Sequence, residues 1–196
     1  MNRLLKVHMQ IKLNVASRSL LRVAVAFFFL YFGGKATASC ESLISHPPLV
    51  MQLTDYSCGP ACVRSLFLWK QKTTPNEEDL RRIFGTTVQW GTHPQQMING
   101  FSMLGYSSQF LENLSLQDLE SYINSGFGVM ALVTYEQEAH WVLVYEISAR
   151  VHVMDPWYAR LEIYRKIPLA DFVNQWFGKV GTGTYEKSAL VVEMPR

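Results

Sequence analysis

The chain changes character near Gly126, and that change limits the folds open to it. Before it lie segments with helical apolar spacing and helix-start signals; after it lie short runs of β-branched and aromatic residues divided by polar turns. The spacing predicts a helix from Cys58 to Trp69. Thr74-Pro75-Asn76-Glu77 has the form of a capping box with proline at the first helical position, and opens a helix through Phe84. Thr92-His93-Pro94-Gln95 repeats that form and opens a helix closed by Gly105. Ser115, with Asp118 three residues on, caps a fourth helix that ends at Asn124, just before Gly126. The runs VMALVTY, HWVLVYEI, VHVMDP and SALVVEM read as strands. Helices first and strands afterwards define an α+β domain, with N-terminal helices packed on a C-terminal antiparallel sheet.

The N-terminal region reads differently. Residues 1–38 carry Arg3, Lys6, Lys12, Arg18, Arg22 and Lys35 with no acidic residue, and the apolar block VAVAFFFLYF follows the basic stretch. A bilayer span needs about twenty apolar residues, and this core is about half that. With Ala36-Thr37-Ala38 as a small-x-small site, the layout is that of a secretory signal peptide cleaved after Ala38. An uncleaved N-terminal anchor is the alternative, and it would be the chain's only link to a membrane. Cys40 is a weaker option as a lipid-attachment residue, because Thr37 stands where such a site needs an apolar side chain. Residues 39–49 read as a short tail and 50–196 as one domain with no internal linker or repeat, in the periplasm or secreted.

Export alters the charge. The chain has 18 basic and 16 acidic residues; losing the six basic ones above leaves twelve against sixteen, a net charge of −4. The remaining basic residues are scattered, so no polyanion partner is expected and nucleic acid is excluded.

Three cysteines do not make the dense, even set of a disulfide-stapled exported domain. Cys58 and Cys62 are four residues apart, one helical turn, where disulfide geometry is poor, so Cys58 is expected to be a free thiol. It also stands at the start of a helix, where the dipole favours the thiolate. A reactive thiolate needs an imidazole that the fold must supply. His140 opens the strand HWVLVYEI, where a polar side chain stands at the rim of a sheet instead of inside it. His93 reads as a solvated residue in a helix's first turn, His152 faces away from what Val151 and Val153 bury, and His46 lies in the tail. An orienting acid is also required. Asp155 ends the next strand, and a tight hairpin about Ser148-Ala149-Arg150 brings it beside His140. Cys62, set among apolar residues, reads as a buried structural thiol.

VMQLTDYSCGPACVRSL, AHWVLVYEI and VHVMDPW, in that order, resemble the bacteriocin-processing peptidases that remove double-glycine leaders. They are a papain-like group, and the resemblance is strongest to its stand-alone exported members. It runs from Val50 through FVNQW to the last strand. It implies a papain-like cysteine peptidase fold with Cys58 as nucleophile, His140 as general base and Asp155 as orienting acid. Gln52, six residues before Cys58, is implied as the oxyanion-hole glutamine; bottom-up it is an ordinary loop residue. Family members that clear leaders are commonly domains of ATP-driven exporters, whereas this sequence has no Gly-rich phosphate loop and no bundle of membrane spans. The expected partner is therefore a peptide or protein substrate outside the cytoplasm, with no ATPase domain in the chain.

Peptide hydrolysis at Cys58 is the principal reading. Acyl transfer by the same residues and a non-catalytic peptide-binding module with the same fold are the alternatives. A zinc site from Cys58, Cys62 and His140 lacks the second ligand pair that structural zinc needs, so no metal or cofactor is expected.

Overall fold

The computed structural model describes residues 46–195. The expected signal segment, its expected cleavage site and Cys40 lie outside the described residues. No helix among the described residues is long and apolar enough to cross a membrane.

Three helices precede the first strand. Helix α1 spans Cys58–Gln71, α2 Glu77–Ile83 and α3 Pro94–Met103. Strand β1 is Ser108–Leu111, α4 Leu116–Asn124, and the sheet continues with β2 Gly128–Tyr135, β3 Glu138–Ile147 and β4 Arg150–Met154. A single 3-10 turn at Ala159–Leu161 leads to β5, Arg165–Pro168, and α5, Leu169–Gln175. Strands β6 (Phe177–Val180) and β7 (Gly183–Glu186) form a separate two-stranded hairpin, and β8 (Ala189–Val192) closes the chain. The main sheet has the order β1-β8-β2-β3-β4-β5, with every pair antiparallel. Helices do pack on a C-terminal antiparallel sheet, as the sequence implies.

Two helix starts move relative to the sequence pattern. Asn76 caps α2 by accepting from Asp79 N–H, so Thr74 and Pro75 lie outside the helix. His93, not Thr92, caps α3: its Nδ1 accepts from Gln95 N–H, and Gln96 Oε1 accepts from His93 N–H. Asn76 and His93 win because each stands where its side chain reaches the first-turn amides. His93 also meets Tyr185 Oη through Nε2 at 3.0 Å, so it is a structural cap and not a solvated side chain. Ser115 and Asp118 form a reciprocal capping box on α4 as expected. The strands β1, β5, β6 and β7 have no counterpart in the sequence reading; each is four residues long, too short for its alternation to stand out.

Alternation along the strands divides the core. Met130, Leu132, Trp141, Leu143, Met154 and Leu190 share a buried cluster with Cys62, Val63 and Leu66 of α1 and Phe101 of α3. Val129, Ala131, Val142, Val144, Val153 and Val191 share the other with Leu119 of α4 and Phe172 of α5. The sheet is therefore covered on both faces. Burying a side chain such as Leu66 contributes about 1.5–3 kcal/mol.

The β3–β4 hairpin carries a β-bulge. Ile147 pairs with Val151 and Glu146 with His152, but beyond the irregularity Val144 pairs with Val153 and Leu143 with Met154. One more step in that register sets Asp155 opposite Val142, on the same face of the sheet as His140. Without the extra residue Asp155 would oppose Leu143, on the opposite face from His140.

Gly100 tests the packing between α2 and α3. A Cβ there would lie 2.3 Å from Phe84 Cδ1, and Phe84 is buried. Helix propensity favours Gly→Ala by about 1 kcal/mol, whereas overpacking a rigid core costs about 1–3 kcal/mol. Gly100→Ala is therefore expected to lower the Tm by several degrees in a thermal melt followed by circular dichroism; an unchanged or raised Tm would contradict this packing.

Candidate active site

The site begins at the first turn of α1. Ser57 occupies the N-cap position, yet its hydroxyl makes no bond to the helix amides. It donates instead to Glu77 Oε1 at 2.7 Å and accepts from Thr54 N–H at 3.1 Å. Glu77 Oε1 also accepts from Leu53 N–H at 2.9 Å, so this buried carboxylate braces the loop that delivers Cys58. The positive end of α1 is left without a side-chain cap and lies beside the thiol.

The sheet supplies the remaining groups from neighbouring strands at one end. Tyr135 is the last residue of β2, His140 the third of β3, Asp155 follows β4, and Arg165 opens β5. The pairings Val133↔His140 and Val153↔Arg165, with alternation, put all four on one face. His140 Nε2 and Asp155 Oδ1 are 2.9 Å apart. Oδ1 also accepts from Trp157 N–H at 3.0 Å, and Oδ2 from the Arg165 guanidinium at 2.7 Å. With Nε2 taken by Asp155, Nδ1 is the ring nitrogen left to face Cys58, and the two side chains shift each other's pKa.

His140 is not at an open rim, contrary to the sequence expectation. It is 8% exposed, Cys58 6% and Asp155 0%. The strand begins two residues earlier than HWVLVYEI suggests, so the imidazole lies inside the sheet's covered end.

This burial sharpens the electrostatics. Burial by itself would raise the Cys58 pKa, but the hydrogen bond and positive charge of His140 outweigh it. Backbone hydrogen bonds with Trp141 and Gly59 add to their effect, and the thiol ends below its ordinary value. Burial would likewise discharge His140, yet Asp155 and Cys58 on either side push its pKa up to about 9. Asp155 is held below the usual carboxylate range: His140 and then Arg165 overcome the opposing effect of burial. The arrangement favours a thiolate–imidazolium pair backed by a carboxylate.

Cys62 differs. Its Sγ donates to Trp141 O at 3.3 Å, and burial, with the neighbouring Cys58 charge, pushes its pKa well up. Both thiols are free. Among the described residues no cluster of acidic, cysteine or histidine side chains is suited to a metal ion.

Gln52 lies buried in the loop before α1, six residues ahead of Cys58. Its backbone N–H donates to Pro156 O at 3.2 Å, which ties the loop before α1 to the segment after Asp155. Its side-chain Nε2 donates to Thr54 O at 2.9 Å. An amide nitrogen carries two N–H groups, so one remains for a ligand. Between segments 51–55 and 156–160 lies a shallow cavity of about 90 Å³, with Met51, Leu53 and Trp157 partly exposed around it.

The sequence reading did not find Glu77 or Arg165 as parts of the site. Glu77 looks like any acidic first-turn residue, and Arg165 lies in a strand of four residues. No local signal marks either one. Among the described residues the other histidines have other partners: His46 lies tilted against Tyr164, with ring centroids 4.5 Å apart, and His152 pairs with Glu146 at 3.3 Å.

Comparison with known proteins identifies the family and the fold. The model of the Peptidase C39 family matches residues 46–185. Among solved structures, the peptidase domain of Streptococcus ComA, a bifunctional ABC transporter of a quorum-sensing pathway, superposes with a TM-score of 0.60 at 19% identity. That alignment covers 77% of this chain and 100% of that one. A C39-like peptidase from Bacillus anthracis gives 0.58 at 16% identity, covering 78% and 96%. A double-glycine-motif protease from an AMS/PCAT transporter, in complex with its leader peptide, gives 0.57 at 15%, covering 77% and 94%. At these identities the likeness is one of fold, the papain-like fold of such domains. No protein with a curated description matches. The family model spans most of the chain, including the helix that bears Cys58, the strand that bears His140 and the segment after β4 that bears Asp155, and the chain belongs to the Peptidase C39 family.

Proposed function

We propose that this protein is a cysteine peptidase that cleaves peptide bonds through an acyl-enzyme on Cys58. The observation that carries the reading is the buried row Cys58, His140, Asp155, in which the helix start, the imidazole and the carboxylate all favour a thiolate. Sγ attacks the scissile carbonyl carbon, and the carbonyl π pair moves to oxygen. The resulting oxyanion is received by the Cys58 backbone N–H and the free N–H of Gln52. As the tetrahedral adduct collapses, the C–N bond breaks and imidazolium His140 gives its proton to the departing amine. Neutral His140 then takes a proton from water, which attacks the thioester and releases the new carboxylate and the thiol.

The substrate is a peptide or protein. The leader peptide held by the AMS/PCAT protease supports this. The basic N-terminal stretch and its short apolar core support export, with action on peptides outside the cytoplasm.

Two measurements test the chemistry on the full chain under reducing conditions. The rate of iodoacetamide alkylation at Cys58, read by mass spectrometry, should rise with a midpoint below the usual thiol value of about 8.5; His140→Ala should return it to that value or above. Cys58 reacting like a free peptide thiol in both wild type and His140→Ala would overturn the reading in favour of a binding module. With a peptide panel that includes double-glycine sites, Cys58→Ala should abolish cleavage, His140→Ala lower it about 10²–10⁴-fold, and Gln52→Ala about 10²–10³-fold. Cleavage should also fall as pH rises through about 9, where His140 loses the proton the leaving amine requires, while alkylation persists. A free carboxylate product identifies water, and not an amine, as the acyl acceptor.

A further inference from the structure

We propose that Arg165 is a positioning residue for the chemistry at Cys58: it holds Asp155 through Oδ2 so that Oδ1 stays on His140, and its charge completes a row of four alternating charges. This rests on the reading of Cys58, His140 and Asp155 given above. The geometry is specific. Asp155 has no exposed surface; its carboxylate accepts at Oδ1 from His140 and Trp157 N–H and at Oδ2 from Arg165, and the Tyr135 hydroxyl also interacts with it. Arg165 is itself held: its guanidinium carbon lies 4.7 Å from the Tyr135 ring centroid and 4.4 Å from that of Tyr158, and it donates to Tyr135 Oη. A guanidinium held against two rings and a hydroxyl is restrained from leaving the carboxylate.

The row reads thiolate, imidazolium, carboxylate, guanidinium, with a net charge of zero. Without Arg165, one uncompensated negative charge would be buried with the thiolate, and Asp155 could turn about its side-chain torsions. Both effects disfavour the anionic sulfur. The groups that face this row are Cys58 and Cys62 from α1, Tyr135 from β2, His140 from β3, Tyr158 from the loop after Asp155, and Arg165 from β5.

The test is the pH profile of Cys58 alkylation by iodoacetamide in full-length wild type, Arg165→Met and Arg165→Lys, with folding checked by thermal melts. The acid limb of Arg165→Met should move to higher pH, with alkylation near pH 6 lowered several-fold. Arg165→Lys, which keeps the charge but not the fork or the stacking, should recover part of that rate. Should Arg165→Met fail to fold, Tyr158→Leu removes one side of the clamp, and its limb should shift the same way by less. An acid limb that coincides with wild type, or moves to lower pH, overturns the role; a purely structural arginine would lower the melt and leave the limb in place. A wild type with no depressed thiol limb would refute the thiolate itself, an outcome separate from this one.

Discussion

Helix α1 and strand β3 must pack against each other before any chemistry is available, because thiol and imidazole lie far apart in the chain. The contact is made by apolar burial and fixed by a few polar bonds. Cys62, Val63 and Leu66 sink into the same cluster as Trp141 and Leu143, while Cys62 Sγ donates to Trp141 O. Trp141 in turn donates from Nε1 to Thr92 O at 2.9 Å, which fastens the segment that starts α3. The residue before Trp141 is His140, and the residue that begins α1 is Cys58. Packing one turn deeper therefore sets the distance between the reacting groups, and Cys62 serves the site by being inert.

Burial then determines what the groups become. In water a thiol and an imidazole at these separations would share a proton weakly; here low dielectric makes each opposite charge a strong partner and each unpaired charge costly. The result is a chain of mutual dependence in which Cys58 needs His140, His140 needs Asp155, and Asp155 is held by Arg165 and Trp157 N–H. The brace at Glu77 performs a comparable service for the backbone. It takes up Leu53 N–H and the Ser57 hydroxyl, so the loop enters α1 without a cap that would compete for the helix's first amides.

Much of this was legible in the residues. The position of Cys58 at a helix start, the order of helices and strands, and the Ser115 cap follow from local spacing, and the structure agrees with them. The fold family was legible from the joint occurrence of three segments, none of which is diagnostic alone. What was hidden depends on non-local geometry. The caps at Asn76 and His93 each lie one or two residues from Thr74 and Thr92, where the sequence pattern suggests them, because the side chain that reaches the first-turn amides is decided by the backbone path and not by cap preference alone. Arg165 becomes meaningful only when β5 pairs with β4, and His140 is buried because β3 starts earlier than its apolar run. Gln52 has no local signature at all.

The bulge in β3 has a consequence for how this hairpin can vary. Two registers meet there: one set by the tight turn at Ser148 and Ala149, the other by the core pairs Leu143↔Met154 and Val144↔Val153. They are out of step by one residue, and Tyr145 absorbs the difference on the far side of those core pairs from His140. The hairpin thus contains an expansion joint. Changes in the turn are taken up at the joint, and the phase of the strand that carries His140 past Asp155 is kept by the core.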